Sequence, residues 1–213
     1  MLMLKKVIKK LHLNKPAIYL YQRFNFFIGM FKWRKIKSLD SVKLELGSGA
    51  KKGFNGWITV DISEADICHD LRKGIPLPDL SVDRIYTSHM LEHIPYKELI
   101  LFIAECFRVL KHGGELSVCV PNAFNYINAY YEKRLFRKKG EGYAPFIVET
   151  GSFMDQVNYI AYMGGQHQYL FDKENLINTI SQSPFTSVKL REFDPKLDLN
   201  ERDFESIYAI AIK

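Results

Sequence analysis

The chain has 213 residues, of which 47% are hydrophobic, and a formal net charge of +6. This length and apolar content predict one α/β core, and they argue against a disordered chain or two full-sized domains. Its three cysteines lack the paired spacing of a zinc site, so we expect buried thiols, no disulfide and a reducing cytoplasm. They are Cys68, Cys106 and Cys119.

The first 39 residues carry ten Lys or Arg and no Asp or Glu, so 20 bases and 24 acids remain in the rest of the chain. Two amphipathic helices are predicted there. Their apolar stripes are Leu4, Val7, Ile8 and Leu11, and then Ile18, Tyr21, Phe24, Phe27, Ile28 and Phe31. We expect residues 1–39 to pack on the core. A basic amphipathic segment is also typical of peripheral contact with an anionic membrane, but neither stripe resembles a membrane span or a secretion signal.

Beyond Asp40, buried strands alternate with helices, which predicts a doubly wound α/β domain over residues 40–213. The predicted strands are Val42–Leu46, Trp57–Ile62, Arg84–Thr87, Glu115–Val120, Ser187–Phe193 and Ile207–Ile212, and the predicted helices are Pro95–Leu110 and Asp172–Ser181. Only ten residues join the first two strands, whereas a parallel crossover normally needs a dozen or more. We therefore expect a turn in place of the first helix, with the N-terminal helices covering the sheet there.

Residues 122–165 interrupt this alternation. They are rich in Tyr, Asn and Phe, and they contain a basic cluster within 133–139. The sequence predicts a helical insertion on the substrate side of the sheet, over the strand ends where open α/β sheets bind ligands. The cluster suggests an acceptor that bears phosphate or carboxylate; a solvated helix face is the alternative interpretation.

The stretch KLELGSGAKKGFNGWITVDIS, residues 43–63, places a glycine turn between two strands, the second of which ends at Asp61. A dinucleotide site needs G-x-G-x-x-G and an acid about 20 residues further on. Here residue 52 is Lys, and Asp61 follows Gly47 by only 14 positions. A ligand without a phosphate needs less: glycines that permit close backbone approach, and a carboxylate that accepts hydrogen bonds from a ribose diol. S-adenosylmethionine fits that description.

Four stretches, in order, resemble motifs of the class I S-adenosylmethionine-dependent methyltransferases, and especially of small bacterial enzymes associated with surface polysaccharide synthesis. They are LELGSG, WITVDIS, IPLPDLSVDRIYTSHMLEHI and ECFRVLKHGGELSVCVPN, and the resemblance covers roughly residues 42–121. The resemblance implies a mostly parallel, seven-stranded, Rossmann-like sheet with an antiparallel last strand, and S-adenosylmethionine as cofactor.

The same resemblance implies the cofactor site. Glu45 would lie near the ammonium of the cofactor, Gly47 and Gly49 along its methionine part, and Asp61 at its ribose. Asp70 would meet the adenine amino group, with Asp66 as a rival for that role and a turn-capping carboxylate as the structural alternative. The remaining expected contacts are Ser48, Ile62, Leu71 and Ser88.

Histidines supply the candidate catalytic groups. The segment HMLEH puts His89, Glu92 and His93 on one helical face, a pattern also found in zinc proteases and, as E-x-x-E-H, in some metal-dependent methyltransferases. Because His89 replaces the first glutamate, we expect no metal and interpret His93 as a packed histidine beside the reaction centre. His167, in GGQHQY, is the preferred general base, since an imidazole titrates near neutral pH, and an ordinary surface-loop histidine is the alternative for this position. Tyr126 and Tyr169 are candidates for the acceptor pocket.

The sequence therefore predicts a cytoplasmic methyltransferase that acts on a small or carbohydrate-type acceptor, most simply a sugar hydroxyl. A nucleic-acid methyltransferase is one alternative, although the bases are concentrated at the N-terminus and we find no recognition module. A cofactor-binding partner subunit without catalysis is the other. Cofactor binding and turnover by the purified chain would distinguish them.

Overall fold

A computed structural model describes residues 15–63, 65–136 and 150–213, which form one seven-stranded sheet flanked by helices. The strands are β1 (Lys43–Leu46), β2 (Trp57–Asp61), β3 (Ile67–Cys68), β4 (Val82–Ser88), β5 (Leu110–Pro121), β6 (Ser187–Leu190) and β7 (Ser206–Ile212). The helices are α1 (Lys15–Ile36), α2 (Tyr96–Val109), α3 (Ala123–Tyr131), α4 (Met154–Tyr162) and α5 (Lys173–Ile180).

The strand order is β3-β2-β1-β4-β5-β7-β6. The first five strands pair in parallel, whereas β7 runs antiparallel to both β5 and β6. This confirms the predicted doubly wound sheet with an antiparallel last strand. The chain reverses its direction of winding between β1 and β4, which is where a sheet of this type opens a crevice for a ligand.

The link between β1 and β2 is a turn, as its length predicts, and it contains no helix in the described chain. The amide of Gly47 donates to the carbonyl of Val60 at 2.8 Å, which folds the start of the link back over the end of β2. The glycine loop is thereby held at the carboxyl edge of the sheet.

Helix α1 packs on the sheet edge through a face different from the predicted one. Trp33 and Ile36 are buried in the main core, and Gly29 lies so close to β3 that an added Cβ would come within 2.5 Å of the carbonyl oxygen of Cys68. The predicted core-covering stripe is wrong for three of its members: Phe24, Phe27 and Phe31 are exposed by 60%, 53% and 48%. The earlier stripe, residues 4–11, lies outside the described residues.

The predicted insertion contributes α3 and α4, and its basic cluster lies only partly within the described chain. These two helices enclose a small second core around Tyr126, Tyr159 and Ile160. Asp172 caps α5, as predicted, by accepting a hydrogen bond from the amide of Asn175 at 2.7 Å. No helix in the described part of the chain is long and apolar enough to cross a membrane.

Candidate active site

A pocket of about 600 Å³ lies at the carboxyl ends of β1, β2 and β4. The nine predicted cofactor contacts and the three predicted catalytic residues all line it. The predicted cofactor contacts are Glu45, Gly47, Ser48, Gly49, Asp61, Ile62, Asp70, Leu71 and Ser88, and the predicted catalytic residues are His89, His93 and His167. One cavity therefore joins the glycine loop to the histidines.

Gly47 and Gly49 shape the loop after β1. Both have a left-handed backbone, with φ of +74° and +67°. A Cβ on Gly47 would overlap Met90, 2.1 Å from its Cγ, whereas a Cβ on Gly49 would meet no atom of the described residues within 4 Å. Gly47 thus allows the loop to pack against the segment after β4, and Gly49 leaves open space at the pocket wall.

Asp61 at the end of β2 holds the glycine loop in place. Its carboxylate accepts hydrogen bonds from the amides of Gly49 at 2.9 Å and Ser63 at 2.7 Å. A carboxylate has about four acceptor positions, so two of them stay available for the hydroxyls of a ribose. The same side chain can therefore order the loop and bind the cofactor.

The other carboxylates of the predicted cofactor site have partners within the chain. Glu45 pairs with Lys51 at 2.6 Å. Asp70 caps the 3₁₀ turn Leu71–Lys73 and binds Arg72, whose guanidinium holds the pKa of Asp70 below its usual value. Asp70 is thus a turn-capping carboxylate, the alternative role given for it above, and its side chain also lines the pocket.

Asp66, the rival of Asp70, faces away from this pocket. Its carboxylate accepts hydrogen bonds from the amides of Gly53 and Thr59 and from the hydroxyl of Thr59. The described pocket wall includes Asp70 and omits Asp66. The geometry therefore favours Asp70 for contact with an adenine.

His89 lies where β4 ends, in a left-handed conformation with φ of +49°. Its Nε2 is 2.9 Å from the Ser206 hydroxyl, which itself donates to the carbonyl of Arg202 at 2.6 Å. Because Ser206 donates its hydroxyl proton to Arg202, its oxygen can only accept from His89, so Nε2 of His89 carries a proton and donates it. Burial lowers the pKa of His89 to about 3, so this imidazole is neutral at pH 7.

The 3₁₀ turn Leu91–His93 brings Glu92 and His93 to the pocket. Glu92 is buried, and its Oε2 has no hydrogen-bond partner among the described residues. Burial raises the pKa of this carboxyl to about 8. His93 is partly exposed, and its Nδ1 donates to the carbonyl of Gln166 at 3.0 Å.

His167 is buried at the end of the insertion and reaches back to this turn. Its Nδ1 donates to the carbonyl of Ile160 at 2.6 Å, and its ring lies 5.0 Å from that of His93, centroid to centroid. Burial lowers the pKa of His167, which keeps the imidazole neutral at pH 7. The surface-loop alternative for His167 is therefore wrong. Its Nε2, freed of the proton, can accept one.

The two tyrosines proposed for the acceptor pocket do not line it. Tyr126 is fully buried and donates to Glu205 at 2.6 Å, while the hydroxyl of Tyr169 accepts from Asn175. Tyr159, Arg202 and Glu205 line the pocket instead. Sequence reasoning missed them because no motif marks them: the insertion and the segment before β7 reach the strand ends only in the folded chain.

Comparisons with known proteins agree with this fold. Residues 37–118 match the family model described as a methyltransferase domain. A protein of Mycolicibacterium smegmatis, described as a probable S-adenosylmethionine-dependent methyltransferase, is 36% identical over 81 residues, which cover 32% of this chain and 31% of that protein. The chain thus spans about a third of the length of this curated relative.

Among solved structures, a methyltransferase of Thermotoga maritima, described as S-adenosylmethionine-dependent and a possible histamine N-methyltransferase, is similar, with a TM-score of 0.51 and 17% identity. The match covers 98% of this chain and 99% of that one. A second S-adenosylmethionine-dependent methyltransferase, from Archaeoglobus fulgidus, has a TM-score of 0.48 and 16% identity, with 92% and 99% of the two chains covered. At this level of identity, the first match shows the shared fold.

Proposed function

We propose that this chain is a class I S-adenosylmethionine-dependent methyltransferase and that it transfers a methyl group to a hydroxyl of a small, carbohydrate-type acceptor. The observation that carries the proposal is the position of His167. Its neutral imidazole faces the same pocket as the glycine loop and Asp61. An alcohol is a poor nucleophile until its proton is removed, so a site that methylates hydroxyls needs such a group beside the donor.

The residues at one end of the pocket fit S-adenosylmethionine. Asp61 would bind the ribose, the loop Gly47–Gly49 would lie against the methionine part, and Asp70 would contact the adenine. When bound, the cofactor supplies a methyl group that moves to the acceptor oxygen as the carbon–sulfur bond breaks and sulfur keeps the electron pair. Glu45 would bind the amino-acid ammonium, for which Lys51 would have to give up its ion pair.

The opposite end of the pocket would take the acceptor. His93 and His167 lie beside Glu92, and the hydroxyl to be methylated would be activated among these three side chains. Gln166, Arg202 and Glu205 add hydrogen-bonding groups to the wall, which suits a polyhydroxy ligand. A pocket of about 600 Å³ is typical of a small-molecule site, and this supports a sugar or sugar-linked precursor over a nucleic acid.

The test is transfer of labelled methyl from S-adenosylmethionine to pooled surface-glycan precursors, with RNA and DNA in parallel reactions. We expect label in a sugar ether, and about 10²- to 10⁴-fold slower turnover for His167→Ala at unchanged cofactor affinity. His112→Ala, at an exposed position of β5 away from the pocket, is the matched control. Label in nucleic acid would instead indicate a nucleic-acid methyltransferase. Tight cofactor binding without any product would indicate a cofactor-binding partner subunit without catalysis.

Helix α1 supports a further proposal, that the protein works at an anionic membrane surface. Its outward face exposes Phe24, Phe27, Met30 and Phe31, with the rings of Phe27 and Phe31 5.0 Å apart. Residues 1–39 carry ten bases and no acid, so the charge around this face complements anionic lipid headgroups. An amphipathic helix with such a face lies in the plane of the interface.

Cosedimentation with vesicles tests this contact. We expect the wild type to bind vesicles that contain about 30% phosphatidylserine more tightly than pure phosphatidylcholine vesicles, on the order of 100-fold, because three basic residues that each contribute about 1 kcal/mol near such a surface give about 3 kcal/mol. The double variant F27S/F31S should lose binding without a lower melting temperature, since both rings are exposed. Equal binding by the variant, or a concentration-dependent dimer through this face, would reject the membrane assignment.

A further inference from the structure

The fold brings Glu92, His93 and His167 together from two segments that are distant in sequence. One potential ligand atom from each lies within 4.8 Å of the others. The Nε2 of His93 is 3.8 Å from Oε1 of Glu92. Two ligand bonds of about 2.0–2.2 Å span about 4.4 Å at most, so the pair at 3.8 Å is within reach of one metal ion, and a third atom within 4.8 Å needs only a small side-chain shift.

The protonation of the two imidazoles suits a cation. Nδ1 of His93 donates to the carbonyl of Gln166, and Nδ1 of His167 donates to that of Ile160. A carbonyl oxygen can only accept, so both protons are on Nδ1 and both Nε2 atoms have a free lone pair. Backbone carbonyls that fix Nδ1–H in this way are the usual outer partners of metal-binding histidines.

Glu92 completes the set with an oxygen that lacks a partner. The side chain is buried, yet Oε2 has no hydrogen bond within the described chain. A buried polar atom without a partner is costly and calls for an explanation. A cation between this carboxylate and the two imidazoles would supply the missing partner.

We infer that Glu92, His93 and His167 bind a divalent first-row transition-metal ion. Two imidazoles and one carboxylate leave at least one coordination position open, as in catalytic rather than structural sites. All three ligands line the pocket, so the open position faces the acceptor. This ligand set differs from the one that HMLEH suggests, which is His89, Glu92 and His93. Nε2 of His89 is hydrogen-bonded to Ser206, and His167 replaces His89 as the third ligand.

The role of the ion rests on the proposed function. A hydroxyl in the open position would bind the cation through an oxygen lone pair, and its pKa would fall, so its proton would pass to water in the open pocket. The imidazole of His167 would then act as a ligand, and the cation would acidify the hydroxyl whose proton water accepts. His167→Ala should turn over slowly whether His167 is a general base or a metal ligand, so metal binding has to be measured directly.

The experiment uses the full chain stripped with a chelator and titrated with Mn²⁺ or Zn²⁺, by calorimetry and, for Mn²⁺, by electron paramagnetic resonance. We expect one ion per chain, with affinity at least 100-fold weaker in Glu92→Gln and His167→Ala and unchanged in His112→Ala. Melting temperature and cofactor affinity show whether each variant is folded. Should either ligand variant fail to fold, His93→Ala, at a partly exposed position, supplies the same test.

The two proposals fail in different ways. Absence of stoichiometric binding by the folded wild type, or equal binding by the ligand variants and His112→Ala, would overturn the metal site. Methyl transfer to a sugar by a chain shown to be free of metal would overturn the role of the ion and leave the proposed function intact, with His167 as the direct base. A metal-binding chain that methylates no hydroxyl would instead retain the site and reject the acceptor.

Discussion

Replacement of Asp61 by alanine is the most direct test of the cofactor site. In the structure the carboxylate accepts two backbone hydrogen bonds, from Gly49 and Ser63, and has two further acceptor positions toward the pocket. Two hydrogen bonds to a ribose diol, each charge-assisted at about 1.5–3 kcal/mol and partly compensated by water in the variant, give a loss of roughly 2–4 kcal/mol. That loss corresponds to about 30- to 900-fold weaker binding.

Calorimetric titration with S-adenosylmethionine or its demethylated product measures this effect. The matched control is Asp66→Ala, which removes a carboxylate only five positions away. Because Asp66 binds Gly53 and Thr59 outside the pocket, its loss should lower the melting temperature and leave the cofactor affinity nearly unchanged. Wild-type affinity in Asp61→Ala, or an equal loss in both variants, would refute the assignment of Asp61 to the ribose.

Three further outcomes follow from the packing. Gly47→Ala should lower both melting temperature and cofactor affinity, because its Cβ would overlap Met90. Gly49→Ala should lower the free energy of unfolding by only about 1–2 kcal/mol, the cost of a left-handed alanine. Equal effects of the two substitutions would contradict this difference. Trp33→Ala should destabilise the fold by about 3–5 kcal/mol in urea denaturation, since the side chain is in the core. Deletion of residues 1–37 should give an insoluble or molten product, and a soluble, cooperative truncation would show that α1 is dispensable.

The parallel part of the fold was predictable because its signals are local. Continuous apolar runs fix the central strands, and the short link between β1 and β2 rules out a crossover helix. Strand ends were less well placed: β5 begins at Leu110, five residues before the predicted start, because its first residues pair with the start of β4 across an irregular register. A register shift depends on the partner strand, and the pattern of a single segment carries no information about it.

The buried face of helix α1 was predicted wrongly for a different reason. Periodicity identified an aromatic stripe, and the largest apolar side chains on a helix usually face the core. The buried face is instead set by Gly29, whose missing side chain lets the helix approach β3 closely, and by Trp33 one turn later. Close backbone contact selected the face with the smallest residue, which a count of apolar residues cannot detect.

The histidine cluster combines local and non-local information. The HMLEH motif identifies Glu92 and His93 as site residues because both lie in one short segment, but it predicts His89, their neighbour in sequence, as their partner. The fold pairs them with His167, 74 positions after His93, because the segment after α4 returns to β4: the amide of Gln168 donates to the carbonyl of Glu92 at 2.7 Å. That backbone bond places His167 beside the turn, so a variant that disturbs it without touching a ligand should weaken metal binding. Insertion of one glycine between Gly164 and Gly165 is such a change, and unaltered Mn²⁺ affinity in the folded insertion variant would show that the return segment does not position His167.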